Sequence, residues 1–419
     1  MRTSAVVGAV AAAFVLSACA GEMSEEELVA RARVIHESVI TIDTHDDIPP
    51  NFATEEVDPG VRGDRQVDLP KMREGGLDAA FFVVYVGQGE RTPEGYEAAK
   101  AAALTKFEAI HRMTDSLYPD EIELAYSPDA AERIHDAGKL VACIGIENGY
   151  AIGRDIGLLE RYHQLGARYL GLTHNGHNDI CDSANPSSRL GDEQEEHGGA
   201  SEFGAQVIAE LNRLGIMVDV SHASRQCMLD AARLSRAPII ASHSSARALM
   251  DVERNLDDEQ LLALKENGGV AQMVALGSFV KEDPPEKVQA IEALRQEMGL
   301  GEGYAGWRAM TEEQRTEFRA RMREIEETWP VTVADFVDHI DHAVALIGID
   351  HVGISSDFDG GGGVQGFDDA SEAFNVTLEL VRRGYTEEEI GKLWGGNLLR
   401  VWREVERVAA AERAVEQTG

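Results

Sequence analysis

The chain has 419 residues, 43% of them hydrophobic, with 39 basic residues against 74 acidic ones and a net charge of −35. That length and apolar content exclude general disorder and allow one or two globular domains. The acidic excess, uninterrupted by any block of lysine and arginine, argues against nucleic acid or an anionic membrane surface as a partner.

The first residues are of another kind. Arg2 gives a positive start, Ala5 to Leu16 form a short apolar run, and Leu16, Ser17 and Ala18 precede Cys19. This reads as a secretory signal over residues 1–18, too short and wrongly flanked for a lasting span. Small residues before a cysteine resemble the bacterial lipobox, which predicts diacylglycerol transfer to Cys19 and a lipidated tether over residues 19–24. Ordinary cleavage near Ala18 or Ala20, releasing a free periplasmic protein, is the alternative. Ala20 in the second position resembles the outer-membrane sorting pattern, so the expected location is the periplasmic side of that membrane.

A helix is predicted from Glu25 to Val39, with Leu28, Ala32 and Ile35 on one face. Eight short β-rich runs follow, at Ile40–His45, Ala79–Val86, Leu140–Ile146, Arg168–Thr173, Ile216–Ser221, Pro238–Ser242, Gly269–Leu276 and His351–Ser356. Amphipathic stretches of helical length lie between most of them, for example Ser201–Leu214, Arg225–Ser235, Asp257–Lys265 and Val333–Leu346. Such alternation argues parallel β/α architecture. A doubly wound sheet binds at one crevice, whereas here polar residues end strands one, three, four, five, six and eight, and a closed barrel is what gathers all those ends. The expected fold is therefore a (β/α)8, TIM-like barrel over residues 25–419. Residues 281–329 lack a barrel strand and read as a helical insertion after strand seven, either covering the mouth or lying as a peripheral pair. The stretch Thr386–Ala410 is helical, with Leu393, Leu398, Val401 and Trp402 available to pack on the barrel.

With Cys19 lipidated, Cys143, Cys181 and Cys227 remain, an odd number that cannot form a full disulfide framework. Cys143 in an apolar strand and Cys227 in a helix read as buried thiols, with a disulfide through Cys181 left open.

The chemistry gathers at the strand ends. His45 and Asp47 in TIDTHDD are two apart, so both side chains can face one side of an extended strand end. Asp46 between them points the other way and reads as a supporting or surface carboxylate. Glu147 ends the apolar run of CIGIEN, where a carboxylate needs solvent, a base or metal. His222 in VDVSH and His243 in IIASHS end two further strands. Each histidine alone could serve a backbone carbonyl, but five such residues converging on one mouth form a ligand set for two divalent metals. The expected assignment is His45 and Asp47 on one ion, His222 and His243 on the other, and Glu147 across both. Zinc suits these donors, although cobalt, manganese and iron remain open. Two ions about 3.5 to 4 Å apart can share a water and lower its pKa enough to make a bridging hydroxide.

His174 in LGLTHNG is expected to polarise the substrate oxygen that becomes negative. Asp357 in ISSDFDGGGG is expected to accept the attacking water's proton and return it to the leaving amine. Asp359 is assigned to loop organisation, a choice between neighbours that the residues alone leave insecure. Arg254, beside Asn255 in VERNLD, could hold a substrate carboxylate through a bidentate contact, or simply start a helix at the surface. Ser244 and Ser245 read as loop donors, and His339 and His342, on a helix, as surface residues.

These motifs resemble the membrane dipeptidase family, peptidase family M19, within the amidohydrolase-like barrels. THDD at Thr44–Asp47 resembles its first metal motif, GIEN at Gly145–Asn148 its bridging glutamate and LTHN at Leu172–Asn175 its substrate histidine. VSHAS at Val220–Ser224 and SHSSAR at Ser242–Arg247 resemble the remaining ligand motifs, RNL at Arg254–Leu256 the carboxylate-binding segment, and SDFDG at Ser356–Gly360 the catalytic aspartate. The resemblance implies two Zn2+ ions per subunit, hydrolysis of free dipeptides including those with a C-terminal D-residue, substrate contacts from His174, Arg254 and Asn255, and commonly a homodimer. GHNDICDSAN at Gly176–Asn185 departs from the tryptophan-bearing sequence often found after the substrate histidine. A related binuclear hydrolase acting on N-acyl amino acids, lactones or phosphoesters is the alternative. Many such enzymes bridge their ions with a carbamylated lysine, whereas here strand four ends in His174 and Glu147 supplies the bridge.

Overall fold

The computed structural model describes residues 23–300 and 310–418. The expected signal sequence over residues 1–18 and Cys19 lie outside the described residues, as does most of the glycine-bearing stretch Gly299–Gly306. Ser24 caps the first helix, Glu25–Ser38, by a reciprocal bond with Glu27. Nine strands follow among the described residues: β1 Ile42–Asp47, β2 Ala79–Tyr85, β3 Ile122–Leu124, β4 Leu140–Glu147, β5 Ala167–Gly171, β6 Met217–Asp219, β7 Ile240–Ser244, β8 Val270–Val274 and β9 Val352–Ser355.

Eight of these strands run in the order β1-β2-β4-β5-β6-β7-β8-β9, every pair parallel, and β3 is an extra short strand beside β4. The two ends of the sheet meet where Asp47 N–H donates to Phe358 O at 2.9 Å, so the sheet nearly closes on itself. Helices fill the crossovers and surround it, as a parallel sheet buried on both faces requires. Strand β4, LVACIGIE, is buried at all eight positions. Its even-numbered side chains, Ala142, Ile144 and Ile146, join the shell between sheet and helices, while Val141 and Cys143 point inside.

The lower barrel interior is apolar. Ile42, Phe81, Val141, Met217, Ile240 and Val270 form one cluster with Leu398, Val401, Trp402 and Val405 of the last helix, Asn397–Thr418. That helix plugs the end where the strands begin and leaves the opposite mouth for chemistry. The predicted terminal helix is in fact Glu387–Gly391, a π turn at Lys392–Gly396 and then this long helix.

Among the described residues, the stretch 281–329 expected as an insertion carries the helices Pro285–Glu297 and Glu312–Thr328, joined by an Arg321–Glu297 ion pair of 3.1 Å. Cys181, in the loop after β5, is bonded to Cys227 in the helix Arg225–Leu234, so Cys227 is not a free thiol. Cys143 is free and buried, as its apolar strand predicts. His339 corrects a second expectation. It is buried on Val333–Ile347, with Nδ1 accepting from Ala246 N–H at 3.0 Å and Nε2 donating to Val280 O at 2.8 Å. Alternation along a helix places a residue on a face but does not say which neighbouring loops arrive there.

Candidate metal centre at the barrel mouth

His45 and Asp47 lie on β1, and Glu147 is the last residue of β4, with its side chain turned to the barrel axis. His222 follows β6, and His243 lies on β7 at a shift in its register with β8. The five come together. Glu147 Oε1 stands 2.9 Å from His222 Nε2 and 3.6 Å from His243 Nε2, while its Oε2 is 3.5 Å from His45 Nε2. Asp47 Oδ2 is 3.9 Å from the same His45 nitrogen, and His222 and His243 face each other with their Nε2 atoms 3.1 Å apart.

Potential ligand atoms fall into overlapping triads, each within 4.8 Å: His45, Asp47 and Glu147; Glu147, His222 and His243; and His45, His243 and Asp357. The first two match the assignment expected from sequence, with Glu147 common to both. The donors fit divalent ions. His45 Nε2 is buried and finds no hydrogen-bond partner among the described residues, and paired imidazole nitrogens facing one carboxylate are the donor set of a borderline metal.

The electrostatics agree. Burial opposes ionisation of Glu147, but the charge of His45 and the hydrogen bond from His222 hold its carboxyl well below the usual range. Burial likewise opposes charge on His45, yet Glu147, Asp47 and Asp357 raise it to about 9. His222 and His243 are held well below the usual histidine range, chiefly by burial and then by neighbouring positive groups, Arg254 among them. Asp47 is lifted to about 6 by burial and by Glu147.

Around this cluster lie the expected assistants. His174 Nε2 is 3.8 Å from Glu147 Oε1, its ring 4.2 Å from that of His222 and 4.7 Å from that of Tyr85. Burial keeps it neutral, which suits a hydrogen-bond donor to substrate. Asp357 Oδ1 is 3.9 Å from His45 Nε2, and burial lifts this carboxyl well above its ordinary value. Asp357 adopts a φ of 58°, a left-handed conformation that costs free energy at a non-glycine residue. Gly360 makes room beside it, since a Cβ there would stand 2.4 Å from Asp357 Oδ1 and 2.5 Å from Asp47 Oδ2. Asp359 points away and organises the loop, accepting from Gln66 N–H at 3.2 Å and pairing with Arg65 at 3.0 Å.

Arg254 is buried at the rim, not at the surface. It donates to Ser221 O, to His243 O at 3.2 Å and to Ser244 Oγ at 3.3 Å, and lies 5.3 Å over the Phe279 ring. The carboxylates of Glu147, Asp357 and Asp219 act on it through space, and its Nε has no hydrogen-bond partner among the described residues. Asn255 faces the other way. Its amide accepts from Ser245 N–H and donates to Met250 O and Phe279 O, holding the loop that carries Arg254. Asp46 is buried rather than superficial, within 3.5 Å of Ser356 Oγ.

Residues that the motif reading passed over stand close behind. Tyr169 OH reaches His45 Nδ1 at 3.0 Å, and Ser242 Oγ reaches His243 Nδ1 at 2.8 Å while donating to Asp219 at 2.7 Å. Phe279 and Tyr85 supply the rings beside Arg254 and His174. Inward positions at alternate residues of the strands would have nominated Tyr85, Tyr169, Asp219 and Ser242.

Comparison with known proteins finds relatives over most of the chain. The family model described as membrane dipeptidase, peptidase family M19, matches residues 29–416. Dipeptidase tcpJ of Claviceps purpurea is 32% identical over 354 residues, covering 83% of this chain and 71% of that protein. Dipeptidase aclJ of Aspergillus oryzae is 34% identical over 350 residues, covering 82% and 71%. The crystal structure of the probable dipeptidase PvdM from Pseudomonas aeruginosa superposes with a TM-score of 0.81 at 34% identity, covering 92% of this chain and 100% of that one.

Proposed function

The chain belongs to the membrane dipeptidase family, peptidase family M19, and from that membership and the geometry of its barrel mouth we propose a binuclear zinc dipeptidase acting on free dipeptides, including those with a C-terminal D-residue. The observation that carries this reading is Glu147, whose carboxylate belongs to both a triad with His45 and Asp47 and a triad with His222 and His243. Bound divalent ions supply Lewis acidity there, making water nucleophilic near neutral pH and polarising a carbonyl.

The chain's own residues do the rest. Arg254 fixes the terminal carboxylate of the substrate, an anion its buried guanidinium lacks inside the protein. His174, neutral and poised beside Glu147, donates to the scissile carbonyl oxygen as negative charge develops. Asp357 takes the proton released by the attacking water and delivers it to the departing nitrogen. Extension of the peptide beyond its second residue removes the carboxylate from Arg254 and leaves a buried charge unpaired, which favours dipeptides over longer chains.

We also assign Cys19 as a lipid attachment site holding residues 25–419 on the periplasmic face of the outer membrane, a reading supported by Leu16, Ser17 and Ala18 before it. Among the described residues no helix is long and apolar enough to cross a membrane. The test of the whole reading is a stereochemically resolved dipeptide panel, with metal-replete and chelator-treated protein run side by side. Metal-dependent cleavage of free dipeptides is expected. Activity confined to N-acyl amino acids, lactones or phosphotriesters overturns it.

A further inference from the structure

We infer that Tyr169 is a positioning residue for the metal centre, its hydroxyl holding His45 in the one tautomer whose free nitrogen faces the ligand cluster. Tyr169 lies on β5, fully buried, and its hydroxyl touches two groups: His45 Nδ1 at 3.0 Å and the Thr44 carbonyl at 3.1 Å. A phenol carries a single proton and a carbonyl oxygen only accepts. The hydroxyl proton therefore goes to Thr44 O, and the contact with His45 requires Nδ1–H to be the donor. The other nitrogen, Nε2, is left to face Glu147 Oε2 at 3.5 Å and Asp47 Oδ2 at 3.9 Å, without a hydrogen-bond partner among the described residues.

The anchor is rigid at both ends. Thr44 O belongs to β1, and the Thr44 hydroxyl donates to Ser242 O at 2.7 Å, tying that stretch of β1 to β7. The Tyr169 ring stacks on Phe81 with centroids 5.3 Å apart. Its path across the barrel is cleared by Gly145, its register partner on β4, because a Cβ at Gly145 would stand 1.9 Å from the ring. The chain thus gives up an inward side chain two residues before Glu147 so that a phenol can reach His45. His243 is served differently, since Ser242 Oγ donates to Asp219 Oδ2 and accepts from His243 Nδ1. The first histidine rests on a neutral hydroxyl and a backbone carbonyl, the second on a hydroxyl backed by a carboxylate.

This inference rests on the assignment of His45 as a metal ligand, and the experiment separates the two. The full chain is stripped of metal, and zinc is titrated in competition with a chromophoric chelator for the unaltered protein, Tyr169→Phe and Tyr169→Leu, with thermal melting of each metal-free form. The unaltered protein is expected to take two equivalents. Tyr169→Phe, which keeps the ring, should bind one equivalent about 10- to 100-fold more weakly, with the other equivalent unchanged and the metal-free melting temperature lowered less than in Tyr169→Leu. Tyr169→Leu should show the same weakening together with a lower melting temperature, as the ring contact is lost too. Tyr169→Phe binding both equivalents at full strength overturns the positioning role, and so does equal weakening of both with a lowered melting temperature, the mark of a packing residue. Fewer than two equivalents in the unaltered protein overturns the binuclear reading itself.

Discussion

Replacing Arg254 by methionine tests the substrate anchor with the side chain's bulk retained. Arg254 is 4% exposed and burial lowers its guanidinium to about 10, so it stays charged near neutral pH. Its hydrogen bonds go to Ser221 O, His243 O and Ser244 Oγ, all uncharged, and the Phe279 ring covers it. A substrate carboxylate would be its first direct ionic partner. Truncating one member of such a buried pair costs about 2 to 5 kcal/mol, which at 1.36 kcal/mol per decade is about 30- to 5000-fold in kcat/KM. Arg254→Met also strips a donor from the carbonyls of Ser221 and His243, beside two ligand histidines, and that loss falls on every substrate alike. The diagnostic is therefore a ratio. kcat/KM is measured for a free dipeptide and for its C-terminal amide, in both proteins at equal metal content. The preference for the free acid should collapse in Arg254→Met, while the amide changes far less. An equal loss on both substrates, with the preference intact, would remove Arg254 from carboxylate recognition.

Asp357→Asn should keep both metals and lose about 10²- to 10⁴-fold in kcat, and normal turnover in that variant would assign the proton transfer elsewhere. Metal uptake should release protons at pH 7, because in the metal-free chain Glu147 and its neighbours hold a second proton on His45, at Nε2, up to about 9 despite burial, and the metal must displace it to leave the Nδ1–H form. Affinity should accordingly rise with pH from neutrality toward about 9, and calorimetry in buffers of different ionisation enthalpy reads the proton count; uptake without release would contradict the proposed role of His45. The double substitution of Cys181 and Cys227 by alanine opens a loop of sequence separation 46 and should cost about 4 kcal/mol of stability on chain-entropy grounds. Denaturant unfolding under oxidising conditions checks this, and an unchanged midpoint would show that the link adds nothing.

Strand positions were legible because parallel strands buried on both faces are nearly continuous apolar runs, as Leu140–Ile146 and Ala79–Val86 are. The eight predicted barrel strands all form, with ends displaced by a few residues. Strand β3 escaped notice because three residues, Ile122–Leu124, carry too little pattern to stand out. The Cys181–Cys227 link was undetermined since it joins a long irregular loop to a helix, and nothing local encodes their approach. The burial of His339 depends on the loop at Ala246 and the end of the short helix Gly277–Val280 reaching the same helix face, which is a property of the tertiary arrangement.

At the mouth, the residues that touch substrate or metal were easier to read than those that aim them. A histidine or glutamate ending an apolar strand is costly unless something outside the chain repays it, so the sequence carries a local conflict that marks the site. Tyr169 presents no such conflict. An inward tyrosine in a barrel strand reads as core, and its packing on Phe81 satisfies that reading completely. Its second function rests on one hydroxyl meeting His45 across a sequence separation of 124 residues. The trace it leaves is indirect, in the missing side chain at Gly145. Gly360 leaves a trace of the same sort, keeping open the space between Asp357 and Asp47. In both places a glycine within a motif is explained by the functional side chain it makes room for, so the size of a neighbour, rather than backbone freedom, is what Gly145→Ala would violate.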